Sequence, residues 1–208
     1  NIYLTRLIQP CFLARLMSDL QKKWDDIYRK QTITKPQPAI VLSRYEHLLP
    51  KQGKALDLAC GVGGNAFFLE EKGLGVNAWD ISPIAINHIN NNKTNSSTLN
   101  ALVINLDSAP FPTAHYDVIS VSRFLNRQLT NKIIKAIKPG GLLFYQTFTR
   151  EKALPGGPSN PKFLLEKGEL LSLFSPLTPI IYHEEGKIGD VDKGIRNEAI
   201  LIAQKPSQ

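Results

Sequence analysis

A chain of 208 residues with 42% hydrophobic content suits one domain with a real core. Two cysteines, Cys11 and Cys60, exclude a disulfide framework or a cysteine-rich zinc site, and the scattered His47, His88, His115 and His183 show no metal-ligand spacing; no metal and a reducing, cytoplasmic home are expected. The net charge of +7 permits an anionic partner, but the densest basic group, Lys22, Lys23, Arg29 and Lys30, is mixed with Asp19, Asp25 and Asp26, and no apolar run of about 18 residues exists to span a membrane.

Residues 1–16 hold Arg6 and Arg15, no acid and one proline; the only methionine, Met17, precedes SDLQKKWDDIYRK, which reads as a helix capped by Ser18. Residues 1–17 are therefore expected to be an N-terminal extension, with translation starting at Met17 and a single domain over 18–208. After the proline-bearing TITKPQP comes AIVLSRYEHLL, a second helix ended by Pro50. The pattern then alternates: strand KALDLA, helix GNAFFLEEKG, strand LGVNAWD, and helix SPIAINHINNN, where Ser82 caps and Pro83 occupies the first turn. ALVINLD and YDVISVS are the third and fourth strands, LTNKIIKAIKPGG a helix stopped by Pro139 and glycine, and LLFYQTFT the fifth strand.

Strands separated by helices imply right-handed crossovers and a parallel sheet covered on both faces. After the helix KGELLSLF, the segments TPIIYHEEG and NEAILIAQ are joined by a loop with no room for a crossover helix, so they are expected as an antiparallel pair at one edge. The predicted fold is a Rossmann-like three-layer α/β sandwich with a mostly parallel seven-stranded sheet and a C-terminal antiparallel strand pair.

The chemistry centres on ALDLACGVGGNAFF, a strand running through three glycines into a helix. Gly61, Gly63 and Ala66 satisfy the dinucleotide fingerprint G-x-G-x-x-[GA], with Asp80 about twenty residues on, which fits a dehydrogenase. Asp57 discriminates: a carboxylate four residues before Gly61 opposes a pyrophosphate and favours a ligand that carries a cation.

LDLACGVGGNAFFLEEKG resembles the first motif of class I S-adenosylmethionine-dependent methyltransferases, an acid followed by G-x-G-x-G. The resemblance covers about residues 18–204, and SRFLNRQL, KPGGLLFYQTFTRE and GPSNPKFLLEKGELLSLF bring it closest to the methyltransferases grouped with tellurite-resistance proteins. It implies S-adenosyl-L-methionine as cofactor, with Asp80 at the ribose hydroxyls, Asp107 near the adenine amino group, and Asp57, Ala59, Cys60, Gly61, Gly63, Asn65, Ile81, Ser108 and Val121 among the other cofactor-binding residues. Trp24 and Tyr28, four apart on one helix face, are either core or part of a helix that closes over the cofactor. Relatives are expected to carry a histidine near Asn126 and an acid near Gln146, positions that would line an acceptor pocket; the neutral side chains here leave the catalytic residue unassigned.

Arg123, Arg127 and Arg150 follow strands four and five, where a guanidinium fork would receive an oxyanion. Cys60 is expected to pack rather than react, and EKALPGGPSNPKF is either an acceptor-side lid or an ordinary connection. A small-molecule acceptor, soft or anionic, is favoured over nucleic acid, because no N-P-P-[YF] segment follows strand four. A cofactor-binding protein without turnover is the non-enzymatic alternative.

Overall fold

The computed structural model describes residues 10–30 and 36–207, with side chains of the first helix described from residue 19. The elements run α1 (Pro10–Lys30), α2 (Ile40–Arg44), β1 (Gly53–Leu58), α3 (Gly64–Glu71), β2 (Leu74–Asp80), α4 (Pro83–Asn92), β3 (Asn100–Val103), β4 (Tyr116–Ser122), α5 (Thr130–Ala136), β5 (Ile137–Phe148), α6 (Glu169–Leu173), β6 (Thr178–His183) and β7 (Glu198–Gln204). Seven strands form one sheet in the order β3-β2-β1-β4-β5-β7-β6. All pairs from β3 to β5 are parallel, while β7 is antiparallel to both β5 and β6.

Period-two alternation sorts side chains onto two cores. Leu56, Leu58, Ile119, Val121, Leu143 and Tyr145 face α5 and α6, with Ile133, Leu170 and Phe174. Ala55, Val118, Leu142, Phe144, Ile200 and Ile202 face α2, α3 and α4, with Val41, Leu42, Leu69, Ile86 and Ile89. Continuing that second register toward the carboxyl ends of the parallel strands replaces carbon with polar groups: Asp57, Ser120, Ser122 and Gln146. Glu198, the first residue of antiparallel β7, joins them because β7 runs the other way. The α2–α4 face is thus apolar in its middle and polar along one rim.

Several boundaries differ from expectation. Ser18 is no cap, since α1 runs through it from Pro10; PCFLARLM offers good helix formers behind a first-turn proline. Residues 1–9 of the expected extension lie outside the described residues. The second helix is only Ile40–Arg44 followed by a 3-10 turn at Glu46–Leu48. α5 stops at Ala136, and β5 begins at Ile137, carrying Pro139 and two glycines inside it. There the β4 register shifts between Tyr116 and Val118, and the irregularity accommodates the proline. β3 ends at Val103, so Ile104–Asp107 is loop. No described helix is long and apolar enough to cross a membrane.

Candidate cofactor and acceptor site

The turn after β1 is left-handed at Ala59 (φ 52°), Gly61 (φ 53°) and Gly63 (φ 91°). Cys60 N–H donates to Trp79 O (3.1 Å) and Gly63 N–H to Cys60 O (3.0 Å), so the loop is tied to β2 and closed on itself before α3 starts. Asp80, at the end of β2 and 4% exposed, completes it. One carboxylate oxygen accepts from Gly61 N–H (2.9 Å) and the other from Ser82 N–H (2.9 Å). Each sp² oxygen keeps a second lone pair, so the carboxylate retains the acceptor pair that two ribose hydroxyls need. Ser82 does cap α4, accepting from Ala85 N–H (3.2 Å).

Asp57 is fully buried. Oδ1 accepts from Asn65 Nδ2 (3.3 Å), but Oδ2 has no hydrogen-bond partner. Burial, helped by the nearby Asp80, pushes its carboxyl up to about 7, against the pull of the Asn65 amide, the Ser120 hydroxyl and the Ala66 N–H. A buried acceptor without a partner is costly unless something fills the place. Asn65 itself is fully engaged: Nδ2 also donates to Ser122 Oγ (2.9 Å), and Oδ1 accepts from Ala39 N–H (2.8 Å). It therefore orients Asp57 and anchors the entry to α2.

Helix α1 lies across this loop. Trp24 and Tyr28 stack with ring centroids 5.8 Å apart, and a Cβ placed on Gly61 would sit 3.0 Å from the Tyr28 hydroxyl oxygen. The bareness of Gly61 is what lets the phenol approach. Burial, then Asp80, push the Tyr28 phenol far up, so it stays protonated. Asp25 fastens the helix by accepting from Ser82 Oγ and, at 3.5 Å, from Ile84 N–H at the start of α4.

The third predicted acid, Asp107, is exposed in the loop after β3. Its Oδ1 accepts from Asn126 Nδ2 (2.7 Å), and Asn126 Oδ1 caps the following 3-10 turn at Gln128 N–H (3.0 Å). Lys132 holds that loop from below, donating to the carbonyls of Leu106, Asp107 and Ala109. Ser108 Oγ donates to Asn105 O (3.4 Å), and Ile81 is half-buried beside Asp80.

The structure gives the remaining predicted residues the following places. Val121 is buried with its side chain in the α5–α6 core. Cys60 is 9% exposed and its thiol is pushed up by burial, then by Asp57, which makes it a packing residue. Gln146 lines no open pocket: it is 1% exposed and bridges Val41 N–H and Glu198. All three nitrogens of the Arg127 guanidinium are spent on Glu169 and the carbonyls of Lys162 and Leu164, a clamp on the segment before α6. Arg150 pairs with Glu166 on the surface. Loop 151–163 is fastened by Lys152 Nζ, which donates to Gly156 O and Pro158 O (2.7 Å each), and by Asn197, which takes Ala153 N–H (2.8 Å). Asp25, Ser122, Lys132 and Glu198 were not among the predicted residues; only proximity across distant segments marks them. Among the described residues no group of three His, Cys, Asp or Glu is placed to hold a metal.

The carboxylates, glycine turn and strand order reproduce the resemblance seen in the sequence. The family model described as tellurite resistance protein TehB matches residues 20–197. The chain belongs to the TehB family. Its fold is that of the S-adenosylmethionine-dependent methyltransferases, and the family match sets aside the dinucleotide reading of the same glycines. TehB from Haemophilus influenzae superposes with a TM-score of 0.66 at 21% identity, over 88% of this chain and 67% of that one. The S-adenosylmethionine-dependent methyltransferase from Mesorhizobium loti gives 0.63 at 15%, over 80% and 98%. Phosphoethanolamine N-methyltransferase 2 of Haemonchus contortus, in complex with S-adenosyl-L-methionine, gives 0.62 at 16%, over 80% and 51%. No curated protein matches this TehB-family sequence.

Proposed function

We propose that this chain transfers a methyl group from S-adenosylmethionine to a small acceptor that is soft, anionic or both, such as a tellurium, selenium or thiolate species. The observation that carries the reading is the unpartnered Oδ2 of buried Asp57, two residues before a left-handed glycine turn whose Gly61 N–H is held by Asp80. A carboxylate desolvated beside bare backbone suits a ligand that presents a cation and needs close approach; a nicotinamide dinucleotide presents phosphates there instead. When bound, the cofactor supplies an electrophilic methyl carbon on a sulfonium.

The residues divide the remaining work. Asp57 receives the ammonium end, the turn from Ala59 to Gly63 lies alongside it under Tyr28, Asp80 takes the ribose hydroxyls, and Asp107, steadied by Asn126, faces the adenine amino group. Trp24 and Tyr28 cover the site and keep water out, which matters because an in-line displacement needs alignment and dryness more than acid–base help. Asn126 and Gln146 are committed to internal hydrogen bonds, so neither acts as a base, and a soft lone pair requires none.

Isothermal titration with S-adenosylhomocysteine, with NADH as control, tests cofactor class. Release of S-adenosylhomocysteine on addition of tellurite, selenite or a small thiol then tests turnover. Binding of NADH alone would defeat the reading. Cofactor binding without turnover on any acceptor would favour a non-catalytic binding protein, the reading that the absence of a base at positions 126 and 146 supports.

A further inference from the structure

The polar rim ends on a guanidinium that cofactor binding does not use. Arg123 follows β4 with a φ of 52°, a conformation that an L side chain rarely adopts unless its surroundings impose it. Here they do. Its backbone N–H donates to Gln146 O (2.8 Å), and its Nε donates to Glu198 Oε1 (3.0 Å). The other oxygen of Glu198 accepts from the Gln146 amide, whose carbonyl in turn accepts from Val41 N–H (2.8 Å). Gln146 and Glu198 are buried, yet the Arg123 side chain is 69% exposed.

An ion pair with one partner in water adds little stability, while burying a carboxylate to make it is costly. The relay is better explained as a mount. It grips the guanidinium by Nε and leaves the Nη1–Nη2 edge facing outward, the edge that meets two oxygens of an anion side by side. Among the described residues nothing else hydrogen-bonds to that edge. The neighbouring arginines are spent: Arg127 clamps Glu169, Arg150 pairs with Glu166, and Arg196 donates to the carbonyls of Gly186, Ile188, Asp190 and Lys193. Arg123 is also next in sequence to Ser122, which shares Asn65 with Asp57. The mounted head therefore follows the end of β4 that shares the polar rim with Asp57 and the glycine loop.

We propose that Arg123 docks the acceptor: its Nη1–Nη2 edge receives an oxyanion or carboxylate of the molecule to be methylated, and Glu198 and Gln146 are positioning residues that aim it. Naming that anion an acceptor rests on the methyl-transfer reading, whereas the anion site stands on the relay alone.

Titration calorimetry of the S-adenosylhomocysteine-loaded protein with sodium selenite reads the site without turnover. Saturable binding is expected in the wild type, weakened at least tenfold in Arg123→Gln, intermediate in Arg123→Lys, and at wild-type strength in Arg44→Gln, an exposed arginine on α2. Glu198→Gln, which keeps the shape but loosens the grip, should lower selenite affinity while S-adenosylhomocysteine affinity and circular dichroism stay as in the wild type. Equal selenite affinity in wild type and Arg123→Gln, or none in the wild type, overturns the site; wild-type affinity in Glu198→Gln overturns the positioning role. Failure to bind S-adenosylhomocysteine would instead overturn the methyl-transfer reading, and selenite titrated into the unloaded protein then decides the anion site by the same comparison.

Discussion

Asn65 of α3 donates to Asp57 of β1 at 3.3 Å and satisfies only one oxygen of a fully buried carboxylate. Burial raises that carboxyl from its ordinary value to about 7, which makes it a liability in the unliganded protein. The unfolded chain ionises Asp57 near pH 4 and the folded one near 7, so stability is full below about 4, falls as pH rises between the two, and stays low above 7. Asp80, raised mainly by burial, acts in the same direction. Asp117, held down by Lys138 against its burial, and Glu169, held down by Arg127, have the opposite sign and lose their contribution toward acid. Thermal melts should therefore show a Tm that declines from pH 5 to 8, and Asp57→Asn should flatten the decline while raising Tm at pH 8. Binding should do the reverse: S-adenosylhomocysteine affinity rises toward pH 8, and at pH 6 binding releases a proton, seen as a buffer-dependent enthalpy. A Tm that rises across the window would contradict the assignment.

Asp80 serves the ligand and the loop at once. Asp80→Ala removes the ribose acceptor pair, a loss of about 1–3 kcal/mol in cofactor binding, and also frees the amides of Gly61 and Ser82. Asp80→Asn keeps one carbonyl acceptor and should fall between. Calorimetry on the two variants checks the order; unchanged affinity in Asp80→Ala would defeat the ribose assignment.

Local signals told most about the scaffold. LGVNAWD and YDVISVS became β2 and β4 with their expected ends, because apolar runs bounded by turn residues leave little freedom. Ser82–Pro83 marked the start of α4 for the same reason. The β5 start was hidden because Pro139-Gly140-Gly141 reads as a stop yet lies inside an irregular strand. Asp57 and Asp80 stand at or next to the ends of β1 and β2, where the sequence put them, whereas Asp107, expected to close the third strand, lies in the loop after it. Glu198 was not visible, since it lies 75 residues from Arg123 and meets it only because antiparallel β7 returns its N-terminal end to the rim. Arg127 was visible for the wrong reason: its partner Glu169 is 42 residues away, and only the fold shows that the guanidinium is already spent.

Ala59 sits at a φ of 52° in the first left-handed position of the loop. A side chain there costs about 1 kcal/mol that glycine would not. Ala59→Gly should raise stability by roughly that amount, a Tm gain of about 2–4 °C for a domain of this size, without weakening S-adenosylhomocysteine binding. Scanning calorimetry with a parallel binding titration checks both; a lower Tm would mean that the methyl of Ala59 packs better than its backbone is strained.

The phenol of Tyr28 and the bare Cα of Gly61 form a matched contact, and each half should fail in its own way. Gly61→Ala puts a Cβ 3.0 Å from the Tyr28 hydroxyl oxygen at a φ of 53°, so the turn is strained and the phenol must give by a few tenths of an ångström. A loss of at least tenfold in S-adenosylhomocysteine affinity is expected, about 1.4 kcal/mol or more. Tyr28→Ala leaves the turn intact and removes the cover, so the cofactor should leave faster while entering at a similar rate. Stopped-flow binding separates these: a higher dissociation rate with a near-constant association rate supports α1 as the cover, because an element that only shields the bound ligand acts after it arrives. Equal dissociation rates in wild type and Tyr28→Ala would assign the Trp24–Tyr28 stack to the core alone.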